Sequence, residues 1–420
     1  MRNPALYLRH AGLAGSLLLL PVLAAALDMD TAVDLAVERD EALKALERRV
    51  SSLSEQAVAD GALPDPEILL GVEGVPVTDP FDADMMTMYK VGVRQRIPAG
   101  QTRSVNRQRT RAMADAVQAE YRARKLDVAR QTRQSWLDWT AAAHSLDLAR
   151  HNHEAFQELV EITEARYRAG TGRQRDINQA RLELALFERR IIERQTELDD
   201  AASRLQRWTG LMPHHHTTVA FPSWPEPAPD HELKHRLLNH PTLQVDEQRI
   251  EVGIHDTRLA RQAYRPTWMV EAGYAHQRGT DPMTMSRQSD KLFAMVTFSL
   301  PLFTGNRQDR QLAATRDELM ALNHDQDLRL QELGGQLSQQ LRRWQRNSQH
   351  LELIDDTVLA EAETTVDVTF SAYRADRATF DELVRARLAL FEQQLARIDV
   401  ERARHAAAIE LAWLTAENLQ

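Results

Sequence analysis

Residues 91–103 read Val-Gly-Val-Arg-Gln-Arg-Ile-Pro-Ala-Gly-Gln-Thr-Arg, and residues 296–307 read Val-Thr-Phe-Ser-Leu-Pro-Leu-Phe-Thr-Gly-Asn-Arg. In both stretches, apolar residues at every second position are followed by a proline, a glycine and an arginine. No proline occurs between Pro98 and Pro213, and none follows Pro301. Alternation followed by a long proline-free run predicts a strand that leads into a very long helix. The chain is therefore predicted to contain this unit twice.

Further matches extend the repeat at a nearly constant offset. They pair Trp139 with Trp344, Tyr167-Arg-Ala-Gly170 with Tyr373-Arg-Ala-Asp376, and Ala180-Arg-Leu-Glu-Leu184 with Ala386-Arg-Leu-Ala-Leu390. We predict a signal peptide over 1–26, a first repeat over 27–212, a proline-rich linker over 213–230 and a second repeat over 231–420.

Each predicted repeat has the same three parts. A first helix covers about 29–59 and again about 231–262, and it is followed by a β-hairpin within 67–97 and again within 267–302. A long helical hairpin then covers 101–209 and again 306–416. Its first arms, 101–168 and 306–373, would each extend on the order of 100 Å at ~1.5 Å per residue. Gly334-Gly335 is the expected weak point of the second arm.

The predicted strands, 67–76 with 87–97 and 267–278 with 291–302, have one apolar and one polar face. Tyr89, Val91 and Val93 alternate with Lys90, Gly92 and Arg94. Strands of about ten residues cross a bilayer when they are tilted. Four strands are too few to close a membrane barrel, which starts at about eight. The fold class is therefore predicted to be mainly α with a membrane β-barrel sector, and several chains would share the barrel.

The composition and the amino terminus indicate an exported protein that does not bind nucleic acid. Lys and Arg number 52 against 61 Asp and Glu, and there is no cysteine. Such a negative chain lacks the basic surface that phosphates require. Arg2 and Arg9 precede an apolar run that ends Ala24-Ala25-Ala26, the pattern of a cleavable signal peptide. Without cysteine, lipid attachment through a thioether is excluded.

Three patterns suggest metal binding, but each also has a purely structural explanation. His231-Glu-Leu-Lys-His235 fits the spacing of zinc proteases, but the short helix before Pro241 favours a surface helix instead. His214–His216 lie in the linker, where they could bind metal or simply be solvated. Met86-Thr-Met88 and Met283-Thr-Met285 occupy equivalent positions of the two hairpins. Thioether pairs suit soft ions such as Cu(I), and methionines that pack or lie at the membrane interface are the favoured alternative.

The order of helix, hairpin, long helical pair and crossover, repeated twice, resembles the TolC family of outer-membrane efflux proteins over about 28–417. The most specific marks are the two Tyr-Arg-Ala turns, Arg207-Trp-Thr-Gly210 and Asn239-His-Pro-Thr-Leu243. Leu63-Pro-Asp-Pro66 with Val75-Pro76 is similar to the heavy-metal branch of the CusC and CzcC type.

This resemblance implies a homotrimer, a twelve-stranded barrel with four strands from each chain, and a long periplasmic α-barrel. It also implies a periplasmic adaptor and an inner-membrane pump of the RND type as partners. The chain itself is then a passive exit duct in the outer membrane, without catalytic, cofactor or metal sites. A duct for drug efflux or type I protein secretion stays open as an alternative, as does a periplasmic coiled-coil scaffold.

The resemblance also implies a periplasmic gate where the long helices turn. The candidates are Asp176, Gln179, Asp381, Glu382 and Arg385. A symmetric assembly turns each lumen-facing side chain into a ring of like charge. Gln179 and Arg385 stand where a second acidic ring would be, so ion pairs within the turns are the alternative explanation.

Overall fold

The computed structural model describes residues 27–77, 86–213, 220–280 and 283–417. The predicted signal peptide 1–26 and His214–His216 lie outside the described residues. The helices are α1 (Met29–Arg39), α2 (Glu41–Gly61), α3 (Thr102–Arg168), α4 (Gln174–Thr209), α5 (Asp230–Leu237), α6 (Pro241–Gln262), α7 (Gln308–Leu353), α8 (Leu359–Arg374) and α9 (Phe380–Leu414). The strands are β1 (Glu67–Glu73), β2 (Met88–Ile97), β3 (Trp268–Gln277) and β4 (Lys291–Phe298).

The four strands form one antiparallel sheet in the order β1-β2-β3-β4. The two hairpins are thus joined through β2 and β3, which pair over their full lengths and place Gly92 opposite Gly273. A Cβ atom added to Gly273 would lie 2.4 Å from the carbonyl oxygen of Val91 and 2.6 Å from the ring of Phe293. Glycine is therefore required for this close approach.

One face of the sheet is apolar and exposed. Its members are Ile68, Leu70, Val72, Tyr89, Val91, Val93, Ile97, Trp268, Val270, Tyr274, Leu292, Val296 and Phe298. A contiguous apolar surface of this extent marks contact with lipid or with another apolar surface.

The opposite face of the sheet carries the charged side chains. Arg94 pairs with Glu271 at 2.5 Å and with Glu67 at 3.6 Å, and Lys90 pairs with Glu73. These pairs join neighbouring strands. The alternation predicted for the strands is therefore confirmed, with apolar and charged residues on separate faces.

Helix α3 is 67 residues long and is the central element of the molecule. Near the sheet it packs against α2 and α6, and farther along it packs against α4 and α9. Three apolar clusters lie along this assembly. They include Phe156 near the helical turns, Trp136 in the middle of α3, and Leu233 of α5. Within the described residues, no helix combines the length and the apolarity needed to cross a membrane.

Two predicted helices are each interrupted. The helix expected over 29–59 breaks at Asp40, whose carboxylate accepts a 2.8 Å hydrogen bond from the amide of Leu43 and so caps α2. The helix expected over 231–262 breaks before Pro241, which occupies the first turn of α6 and cannot donate a hydrogen bond from its nitrogen. The strands also end earlier than predicted, at Glu73 and Phe298.

The structure shows no break at Gly334-Gly335, the expected weak point of the second long helix. Both glycines lie inside α7, which is regular through them. The irregularity lies instead at Ile354–Val358, a π-helical turn between α7 and α8. Asp355 in this turn pairs with Arg397 of α9 at 2.6 Å, so the wider turn faces a specific partner.

Candidate channel gate

The two long helical hairpins end in equivalent turns. In the first, Gly170 has φ 74°, and the amides of Thr171 and Gly172 each donate 3.0 Å hydrogen bonds to the carbonyl oxygen of Arg166. In the second, Asp376 takes the same left-handed conformation with φ 57°. Aspartate tolerates this region better than most residues. Both turns close in the same way, as their matching Tyr-Arg-Ala sequences predict.

Aromatic side chains fix the two hairpins against each other below the turns. Phe187 of α4 lies 4.7 Å from Phe156 of α3 and 5.1 Å from Phe391 of α9, measured between ring centroids. All three are buried. Aromatic pairs at these distances stabilise beyond the area they bury. The turns therefore lie on a packed base that includes helices of both repeats.

Arg166 of α3 links the first hairpin to the turn of the second. Its guanidinium donates 3.2 Å hydrogen bonds to the carbonyl oxygens of Tyr373 and Arg374, and it forms an ion pair with Asp376. It also lies 4.8 Å from the centre of the Tyr373 ring. A planar, always charged guanidinium can make all of these contacts at once. Sequence reasoning missed Arg166 because its partners lie more than two hundred residues away along the chain.

Three of the five predicted gate residues come together. The side-chain amide of Gln179 donates a 3.1 Å hydrogen bond to one carboxylate oxygen of Asp381, and Arg385 forms an ion pair with the other. The hydrogen bond from Gln179 and then the bond from Arg385 lower the pKa of Asp381. Since Gln179 lies on α4 and the other two on α9, this cluster is a second link between the hairpins.

The other two candidates have different surroundings. Glu382 and Thr379 form a reciprocal capping box at the start of α9, with the amide of Thr379 donating to the Glu382 carboxylate at 2.7 Å. Asp176 is buried in the first turn of α4. Burial, and then the charge of Asp176, raise the pKa of Tyr373. Neither carboxylate belongs to the cluster around Asp381.

The His231 to His235 motif lies on α5, which is eight residues long. Both histidines are exposed, and Glu232 pairs with Arg236 at 2.5 Å. Leu233 and Leu237 bury the opposite side of the helix. In the part of the chain that the structure describes, no three His, Asp or Glu side chains converge as metal ligands. Met283 and Met285 are 95% and 81% exposed, which is unlike packed core methionines.

Comparisons with known proteins agree with this architecture. The chain matches the family model described as "Outer membrane efflux protein" over residues 32–211 and 233–417. No curated protein matches the chain.

Several solved structures share its fold. The structure of CusC, reported in connection with transmembrane channel formation, gives a TM-score of 0.78 at 16% identity, covering 93% of this chain and 92% of that one. The CmeC outer membrane channel of Campylobacter jejuni gives 0.76 at 14% identity, covering 99% and 95%. The MtrE outer membrane channel of Neisseria gonorrhoeae, in its open state, gives 0.75 at 14% identity, covering 93% and 89%.

At these identities the structural likeness establishes the fold, while the family match extends over most of the sequence. The chain belongs to the outer membrane efflux protein family.

Proposed function

We propose that three copies of this chain form an exit duct through the outer membrane. The observation that carries the proposal is the division of the four-stranded sheet into an exposed apolar face and a face of paired charges. A sheet of this kind fits between lipid outside and water inside. The sheet of one chain cannot span the membrane alone, because lipid does not satisfy the hydrogen-bonding groups of its open strand edges.

The order of the elements supports assembly into a ring. Within the described residues, β1 and β4 each pair on one side only. In the adjoining helical layer, α2 contacts α3, α3 contacts α6, and α6 contacts α7. The sheet and the helical layer therefore end on the same sides of the chain, with β1 and α2 at one end and β4 and α7 at the other. Repeating this head-to-tail contact around a closed symmetry gives twelve strands for three chains.

The helical hairpins would continue the duct into the periplasm. We propose that their turns meet a periplasmic adaptor and that an RND-type inner-membrane pump supplies the energy. The duct itself would then conduct passively. We also propose the division of the chain into a signal peptide, two repeats and a linker at the bounds predicted from the sequence.

Heavy-metal cations are the substrate class that we propose. The support is the resemblance of residues 63–76 to the heavy-metal branch and the fold shared with CusC. Deleting the gene should sensitise the cell to copper, silver or zinc salts, and the wild-type chain should restore tolerance. Sensitivity confined to organic drugs, or loss of a secreted protein, would instead assign one of the two alternative ducts.

We propose that Arg166 and the cluster of Gln179, Asp381 and Arg385 hold the turns in a closed gate. Replacing Arg166→Ala removes the ion pair, two hydrogen bonds and the aromatic contact that join the hairpins. Single-channel conductance in planar bilayers should rise, because the second hairpin is then free to move outward. The expected increase is severalfold.

Arg181→Ala is the matched control. Arg181 pairs with Glu164 at 2.7 Å, and both residues belong to the first hairpin. Its loss should leave conductance unchanged. Equal conductance in the wild type and Arg166→Ala would remove Arg166 from the gate.

A further inference from the structure

A cavity of about 540 Å³ lies between α1, α3 and the start of α6. Arg122, Lys125 and Arg133 of α3 line it together with Asp30 and Asp34 of α1. Apolar side chains, among them Val33 and Val37, form the remaining wall. The volume falls in the range of pockets that hold small organic ligands. This cavity is distant in sequence from the hairpin turns and from the sheet, and the proposed duct function does not use it.

Arg133 is the unusual member of the cavity wall. It is only 6% exposed, and its Nε atom has no hydrogen-bond partner. Within the described residues no carboxylate lies close enough to form an ion pair with it. Burial lowers the pKa of the guanidinium, and the charge of Asp30 opposes that shift only in part. A buried, unpaired charge is costly, and buried arginines are normally paired.

Arg130, on the same helix, is a largely buried arginine whose charge is paired. Arg130 is also largely buried, yet it pairs with Asp127 at 2.7 Å and with Glu410 at 2.8 Å. Its burial is compensated by two carboxylates from two helices. Arg133, one turn farther along α3, has the burial without that compensation.

We propose that this cavity binds a small organic monocarboxylate with a short apolar tail. The guanidinium fork of Arg133 matches a carboxylate in two-point geometry. Three cations against two carboxylates leave a single positive charge for the ligand to neutralise. Asp30 and Asp34 would repel a doubly charged phosphate, and Val33 and Val37 offer an apolar wall for the tail.

The test uses the full-length chain purified in a non-ionic detergent, with hexanoate as the probe. Hexanoate should raise the midpoint of thermal unfolding in a saturable manner. Arg133→Met should raise the dissociation constant for hexanoate at least about tenfold. Arg181→Ala, at the far end of the helical hairpin, should bind hexanoate as the wild type does. Hexanol, which has the tail without the charge, should not bind.

Stability without ligand gives an independent readout. Arg133→Met should leave the thermal midpoint unchanged or raise it, since it removes an uncompensated charge, whereas Arg130→Met should lower it. The proposal is overturned if hexanoate gives no shift or shifts Arg133→Met equally. It is also overturned if inorganic phosphate stabilises as well as hexanoate, or if Arg133→Met is as destabilising as Arg130→Met. Conductance is not involved, so failure here leaves the duct untouched.

Discussion

Asp376 stands in the left-handed conformation at the position where the first repeat has Gly170. Arg166 of the first hairpin forms an ion pair with the Asp376 carboxylate of the second, which helps to stabilise this conformation. The difference between Gly170 and Asp376 therefore gives the second turn a side chain that binds the first hairpin. The two turns of the chain are equivalent in backbone and different in chemistry.

At the same scale, the charge of Asp381 predicts how the gate responds to pH. Hydrogen bonds from Gln179 and Arg385 lower the pKa of Asp381 from its ordinary value of 3.8. A carboxylate with a lowered folded pKa keeps its stabilising contacts above the ordinary value and loses them as the pH falls through the folded value. Conductance should therefore stay constant from about pH 8 to about pH 5 and rise only below about pH 4.

Titrating one bilayer preparation across this range measures the effect, and Asp381→Asn, which cannot titrate, serves as the comparison. The acid-induced rise should be smaller in that variant. A step in wild-type conductance near pH 6.5 would contradict this account, since it would point to a histidine.

Sequence reasoning found part of the candidate site. The resemblance to the family implied Asp381, Gln179 and Arg385 as gate candidates, and the structure brings them into one cluster. Their role in gating stays a prediction. Glu382 was chosen because it matches the first acidic position of the gate implied by the resemblance. Thr379 lies three residues earlier, and this spacing is that of the capping box which the structure shows. Arg166 depends on a contact between residues more than two hundred positions apart, which no local pattern reveals.

At the scale of the elements, the long helices were predictable and their irregularities were not. The absence of proline predicted α3 from 101 to 168, and the structure has it from Thr102 to Arg168. The break at Asp40 depends on one carboxylate that turns back to cap α2. The π-helical turn at Ile354–Val358 faces Arg397 of α9, so it reflects packing between helices and not local propensity.

The two types of glycine in the chain predict opposite effects of alanine. Gly335 lies inside α7, and an added Cβ would meet no atom within 4 Å. Gly335→Ala should therefore raise the free energy of unfolding by about 0.5–1 kcal/mol, because alanine loses less backbone entropy in a helix. Gly273→Ala should be destabilising, since its Cβ would lie 2.7 Å from the Cα of Gly92.

Thermal unfolding of the two variants, followed by circular dichroism, measures both shifts against the wild type. A lower midpoint for Gly335→Ala would show that another surface packs closely against this part of α7. A wild-type midpoint for Gly273→Ala would contradict the close approach of β2 and β3.

At the scale of the whole molecule, the family, the outer-membrane location and the mainly helical fold with a four-stranded sheet are confirmed. Members of the outer membrane efflux protein family are transport ducts and not enzymes, as predicted for this chain. The helices and strands could be predicted because alternation and proline spacing are local, whereas the family and the location were implied by the resemblance of the repeated motifs. It could not give the pairing of β2 with β3, since the two strands are separated by two helices of the first hairpin and two further helices.

Adjacent residues of β4 test which face of the sheet meets lipid. Val296 lies on the apolar face and is 56% exposed, and Met295 lies on the charged face and is 51% exposed. Val296→Lys should cost up to about 2–4 kcal/mol and reduce the amount of protein assembled in the outer membrane. Met295→Lys should assemble normally, because its side chain would extend into water.

Quantifying both variants in outer-membrane fractions provides the comparison, with total expression as the reference. Normal assembly of Val296→Lys, or equal loss of both variants, would contradict the assignment of the apolar face to lipid.

The central claim is that several chains share one duct, and the molecular mass tests it most directly. The full chain should be expressed with its amino-terminal segment, extracted from outer membranes in mild detergent, and measured by light scattering with the detergent contribution subtracted. We expect a protein mass of three chains in that fraction. A monomer or dimer recovered from the soluble periplasm would contradict it and favour a coiled-coil scaffold.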